Sequence, residues 1–141
     1  MREKMSDVLV IIPTYNEIEN ISNIIETVMK YPDGFDVLVI DDSSPDGTAA
    51  VVEKLSEQYP GRVFLEKRAG KLGLGTAYIH GFKWALAKDY AYVIEMDADF
   101  SHNPDDLTRL YHNCKDNAAD VTIGSRYITG VNVVNWPMGR V

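Results

Sequence analysis

Cysteine is nearly missing from this chain: its 141 residues include one, Cys114. A lone thiol excludes an internal disulfide framework and is compatible with a reducing compartment. Long apolar runs are missing too. No stretch approaches the roughly 18–20 residues of a membrane span, and the opening Met-Arg-Glu-Lys-Met-Ser-Asp lacks the apolar centre of a signal peptide. The expectation is a cytoplasmic protein. Basic charge is scarce, with 14 Lys and Arg against 21 Asp and Glu and a formal net charge of -7. That balance argues against nucleic acid as a partner, because binding a phosphate backbone shows a basic footprint. An acidic chain that takes an anionic ligand must hold it locally, through a metal and a few placed Lys or Arg.

What is present is ordinary for a globular protein. Hydrophobic residues make up 45% and charged residues 25%, and the length fits a single domain, residues 1–141, with a core of its own. Val8-Leu9-Val10-Ile11-Ile12 is a continuous apolar run, as expected of a strand buried on both faces, and Pro13 is expected to stop it. Ile18, Ile21, Ile24, Ile25 and Val28 follow helical spacing until Pro32-Asp33-Gly34. Val37-Leu38-Val39-Ile40, Val63-Phe64-Leu65, Tyr92 to Met96 and Val121-Thr122-Ile123-Gly124 read as further strands. Helices are predicted from about Thr48 to Gln58, from the glycine-rich turn at Gly70 to Gly75 onward, and after Asn103-Pro104. In the last of these, Leu107, Leu110, Tyr111 and Cys114 share one face, which makes Cys114 a core residue. Repeated βα units call for an α/β fold, a mostly parallel sheet with helices on both faces. Gly130 to Val141 has no capped terminal element, and Trp136 and the valines there have no obvious partner. The chain therefore reads as stopping in mid-architecture.

Three polar clusters fall where strands end. They are Pro13-Thr14-Tyr15-Asn16-Glu17, Asp41-Asp42-Ser43-Ser44-Pro45-Asp46-Gly47 and Asp97-Ala98-Asp99-Phe100-Ser101-His102. Each alone is ordinary turn chemistry. All three at strand C-termini of one sheet point to a ligand crevice, because open α/β sheets bind ligands there. Asp97 and Asp99 offer hard oxygens suited to Mg²⁺ or Mn²⁺ holding a substrate's phosphates. Strand alternation would turn the two carboxylates to one side and Ala98 to the other. A carboxylate of the Asp41-Asp42 pair is placed to accept hydrogen bonds from a ribose or base, and Tyr15 to face a base. Lys67, Arg68 and Lys71 gather beside the glycine turn; Lys67 and Arg68 read as a solvated face, and Lys71 as a substrate-binding candidate. Arg126 is placed for phosphate.

Rival motifs fail on spacing. Gly73-Leu74-Gly75 lacks the third glycine of a dinucleotide fingerprint, since Thr76-Ala77-Tyr78 follows. No Gly-Lys-Ser/Thr occurs. A calcium loop starting at Asp97 would need glycine where His102 stands and glutamate where Thr108 stands.

Pro-Thr-Tyr-Asn-Glu (13–17), Val-Ile-Asp-Asp-Ser-Ser-Pro-Asp-Gly (39–47), Lys-Leu-Gly-Leu-Gly-Thr-Ala-Tyr (71–78), Met-Asp-Ala-Asp-Phe-Ser-His (96–102) and Gly-Ser-Arg-Tyr (124–127) together resemble an inverting family 2 glycosyltransferase. The third and fourth motifs resemble its dolichyl- or polyprenyl-phosphate mannose synthase branch. The resemblance implies a Rossmann-like GT-A nucleotide-diphospho-sugar transferase fold, C-terminally truncated, with the acceptor side incomplete. It implies that Pro13, Tyr15, Glu17 and Asp42 surround base and ribose, with Ile40 lining that pocket. It places Asp97 and Asp99 at a divalent metal and the diphosphate, Ala98 at the sugar-nucleotide site, and Ser101 where some members have a further metal ligand. Arg126 and Arg140 match arginines that meet the diphosphate or the acceptor phosphate. The implied reaction moves mannose from GDP-mannose to a polyprenyl or dolichyl monophosphate, with Asp99, Arg126 and Arg140 as the catalytic group. The full-length protein would work at the cytoplasmic face of a membrane. A UDP-sugar donor, or a module that binds nucleotide-sugar without transferring it, are the alternatives, and the oligomeric state is left open.

Overall fold

The computed structural model describes residues 7–32, 34–70, 73–98, 106–116, 121–123 and 132–135. Strand and helix alternate as β1 (Val8–Thr14), α1 (Ile21–Met29), β2 (Asp36–Asp41), α2 (Thr48–Gln58), β3 (Val63–Lys67), α3 (Leu74–Ala87), β4 (Tyr92–Glu95), α4 (Asp106–Asp116), β5 (Val121–Ile123) and β6 (Asn132–Asn135). Among the described residues the strands form one sheet, ordered β3-β2-β1-β4-β6-β5. The first four are mutually parallel.

The continuous apolar runs have the predicted consequence. Val8, Val10, Ile12, Val37 and Val39 pack on one side with Ile21, Ile24, Ile25 and Val28 of α1, Val52 and Leu55 of α2, and Leu107, Leu110 and Tyr111 of α4. Leu9, Ile11, Leu38 and Ile40 pack on the other side with Ala77 and Ala85 of α3 and with Tyr90. The sheet is thus covered on both faces, and each fully buried large aliphatic side chain stabilises the fold by about 1.5–3 kcal/mol. On the second face α3 runs so close to β1 that a Cβ on Gly81 would lie 2.7 Å from Cδ1 and 2.8 Å from Cγ2 of Ile11. Cys114 falls within α4, whereas Asn103 and Pro104 lie outside the described residues.

Three expectations are corrected. Pro13 does not stop β1; it lies inside the strand, in register with Ile40. The carbonyl of Ile11 accepts from the Met96 amide, whereas that of Thr14 accepts from the Asp42 amide. Pro13 shares the parity of Ile11 and faces the β4 side, where pairing ends at Glu95. The missing proline N–H is therefore never asked for. Ile18 is not a core residue of α1, which begins at Ile21; it sits in the preceding turn, 40% exposed. Finally, the stretch read as unpartnered holds β6, which lies antiparallel between β4 and β5. A returning strand four residues long has too little periodicity to be told from a loop.

At the far edge of the sheet, Tyr90 Oη donates to Asp36 Oδ2 at 2.6 Å, and both residues are buried. Burial first, and then the Asp36 carboxylate, push the Tyr90 phenol well above its ordinary value.

Candidate active site at the C-terminal strand edge

The C-terminal ends of β2, β1 and β4 lie side by side, and the first two polar clusters interlock there. Asp41 is buried and accepts three hydrogen bonds: from Thr14 Oγ1 at 2.7 Å, from the Ser44 amide at 2.9 Å and from Ser44 Oγ at 2.6 Å. Ser44 Oγ in turn accepts from the Asn16 amide at 2.9 Å. The Glu17 amide donates to Thr48 Oγ1 at 3.1 Å and the Ile18 amide to Asp46 Oδ2 at 3.1 Å. Asp46 also receives the Thr48 amide. Burial opposes its ionisation, but the bonds from Thr48 and Ile18 prevail and hold its carboxyl below the usual range. Asn16 and Ser43 adopt positive φ, 58° and 55°. Such backbone is uncommon outside glycine, and here these side-chain bonds hold both loops in place.

Asp41 is thus a structural hub, and Asp42 differs. Arg68 grips it with a fork, Nε to Oδ1 at 2.6 Å and Nη2 to Oδ2 at 2.8 Å, with both side chains under a tenth exposed. The reading of Arg68 as a solvated face is corrected: two-sided recognition of a carboxylate by a planar guanidinium wins over hydration when the partner waits at the next strand end. Lys67 does stand in solvent, paired with Glu53 at 2.8 Å.

Of the remaining sequence-derived site residues, Tyr15 is 38% exposed at the rim, and Pro13 and Glu17 are half-buried. Ile40 is completely buried in the core beside Leu38 and Ile11. Asp97 follows β4 half-buried, and its Oδ1 accepts from Tyr78 Oη of α3 at 3.0 Å; Ala98 is buried behind it. Lys71, Asp99, Ser101, His102, Arg126 and Arg140 lie outside the described residues. Sequence reasoning missed two participants, Arg68 and Tyr78. Both stand in or beside the glycine-turn motif, yet neither position betrays its partner. Among the described residues no helix is long and apolar enough to cross a membrane.

Chemically, this edge offers an ionic Asp42–Arg68 unit at one end, an aromatic rim, and the oxygens of Asp97 at the other. A hard-oxygen donor of that kind suits a small divalent cation shared with phosphate oxygens. The model of glycosyl transferase family 2 matches residues 9–141. Over 94% of its length the chain is 48% identical to the polyprenol monophosphomannose synthase of Mycolicibacterium smegmatis, covering 50% of that protein. It is 45% identical to the undecaprenyl-phosphate mannosyltransferase of Micrococcus luteus, again over 94% of this chain and 54% of the relative. It is 40% identical to the dolichol-phosphate mannosyltransferase of Pyrococcus furiosus over 94% of this chain and 37% of the relative. The chain thus spans about half the length, or less, of the curated relatives it matches. Among solved structures, the mannosyltransferase PcManGT from Pyrobaculum calidifontis in complex with GDP-Man and Mn²⁺ superposes with a TM-score of 0.71. The two are 21% identical, and the match covers 96% of this chain and 45% of that one. That likeness, with the parallel strands and two helical layers, shows the GT-A-like fold.

Proposed function

The chain belongs to glycosyl transferase family 2, and on that premise we propose that it forms the nucleotide-sugar side of an enzyme moving mannose from GDP-mannose to a polyprenyl monophosphate. The observation that carries this reading is Asp42 and Asp97 standing at two ends of one strand edge, within a sequence 40–48% identical to three polyprenyl-phosphate mannose enzymes. Residues 1–141 are read as one nucleotide-sugar-binding domain.

Pro13, Tyr15, Glu17 and Asp42 would meet base and ribose at the β1–β2 end. Asp97, with Asp99 and Ser101 beyond the described residues, would hold Mg²⁺ or Mn²⁺, and the half-buried carboxylate of Asp97 fits that role. When bound, such an ion neutralises charge that builds on the departing diphosphate. Ala98 would border the sugar. Lys71, Arg126 and Arg140 would keep two mutually repelling anions in line.

The bond formed joins an acceptor phosphate oxygen to the anomeric carbon, and the bond broken joins that carbon to GDP, so the configuration inverts. A phosphate monoester is largely ionised near neutral pH, its second pKa being about 6, and needs no catalytic base. No residue is therefore assigned as a base. Because the acceptor is a lipid, the whole protein is placed at the cytoplasmic face of a membrane.

The test is calorimetric titration of GDP, UDP and GDP-mannose with and without Mn²⁺, followed by transfer to polyprenyl phosphate. Metal-dependent binding of GDP species over UDP, with mannosyl transfer, is expected. A preference for UDP would move the donor to a UDP-sugar. Tight binding of GDP-mannose with no transfer would leave a binding module.

A further inference from the structure

Arg68 does more than neutralise Asp42. Its own backbone is clamped: its amide donates to the Asp41 carbonyl at 2.8 Å, and its carbonyl accepts from Ser43 Oγ. Beyond the fork on Asp42, Nη1 donates to Thr76 Oγ1 at 3.0 Å and Nη2 to the Gly73 carbonyl at 3.2 Å. Thr76 Oγ1 itself donates to that same carbonyl at 2.9 Å. One guanidinium thus joins the end of β2 to the first turn of α3. Two residues along the helix, Tyr78 reaches Asp97. Side chains two apart on a helix project to roughly opposite sides, at about 100° per residue. The first turns of α3 are therefore gripped by Arg68 on one side and by Asp97 on the other.

We propose that Arg68 is a positioning residue of the nucleotide-sugar site: it holds Asp42 and the start of α3 as one unit, and through α3 it keeps Tyr78 seated on Asp97. The inference rests on reading Asp42 and Asp97 as the base end and the diphosphate end of that site. Only a planar fork can serve both duties. Lysine carries the same charge on a single nitrogen and cannot hold a carboxylate edge and two helix-start acceptors together.

The test compares wild type, Arg68→Lys and Thr76→Val as full chains. GDP affinity is measured in EDTA and across a Mn²⁺ series, well below each melting temperature. Arg68→Lys is expected to weaken GDP binding at least tenfold even in EDTA, since Asp42 loses its orientation. Thr76→Val weakens only the helix arm, removing the Nη1 bond while Nη2 stays on the Gly73 carbonyl. It is expected to raise the Mn²⁺ concentration for half-maximal GDP binding threefold or more, with affinity in EDTA within twofold of wild type. A purely structural role would lower the melting temperature and leave these constants unchanged. Either variant binding GDP and responding to Mn²⁺ as wild type does overturns the proposal. Should Arg68→Lys not fold, the Mn²⁺ dependence of Thr76→Val decides alone. Wild type that binds neither GDP nor GDP-mannose would instead overturn the assignment of the site itself, and the proposal with it.

Discussion

Tyr78 and Asp97 meet across 3.0 Å, phenol to carboxylate, bringing α3 and the end of β4 together. Hydrogen bonds to a charged group contribute about 1.5–3 kcal/mol. Tyr78→Phe is therefore expected to weaken Mn²⁺-dependent GDP binding about tenfold or more while leaving the fold in place. Calorimetry with a circular-dichroism control checks this, and unchanged binding would mean that the contact orients nothing.

The carboxylates themselves are the sharper test. Asp97→Asn and Asp99→Ala are each expected to abolish the metal dependence of GDP binding, and with it mannosyl transfer, without unfolding the chain. Wild-type-like turnover in either variant would remove that residue from the metal site.

Gly81 reports on the α3–β1 contact. An added methyl would meet Ile11 at 2.7 Å, inside the closest separation real Cβ atoms show. Gly81→Ala is expected to destabilise the protein by about 1–3 kcal/mol through overpacking. Ile11→Val in the same chain removes the nearest atom. Urea unfolding of the double variant should recover part of the loss, a non-additivity that separates a steric clash from a change in helix propensity.

Stability at alkaline pH should depend on Tyr90. Its phenol is raised above the ordinary value of 10.0 by burial and by Asp36. A raised folded pKa gives stability that is fully present below about pH 10 and is lost as pH climbs toward the folded value. Tyr90→Phe should lower stability by about 1–3 kcal/mol at neutral pH, because Asp36 loses a buried donor. It should also flatten the decline above pH 10. Chemical denaturation from pH 7 upward measures both effects, and parallel curves would refute the linkage.

The continuous apolar runs Val8 to Ile12 and Val37 to Ile40 and the spaced isoleucines of α1 were legible because burial, on both faces of a strand or one face of a helix, is written in the residues themselves. That the first two polar clusters would meet at one strand edge was legible for a related reason, since the fold type brings the C-terminal ends of parallel strands together. Two corrections, Pro13 and Ile18, arise at the crevice. There a residue's surroundings come from the neighbouring strand end and not from its own element.

Local chemistry therefore settled the α/β class and the edge at which the polar strand ends gather, while the motifs carried the family. Tertiary structure alone settled who meets whom on that edge. Asp42 and Arg68 are 26 residues apart, and Tyr78 and Asp97 are 19 apart. No periodicity spans such distances. Arg68 reads as an exposed cation until β3 lies beside β2, and Tyr78 as one more helix aromatic until α3 crosses the end of β4. Short-range preferences choose each element, whereas a fork between two buried charges exists only once the sheet has brought their strand ends together.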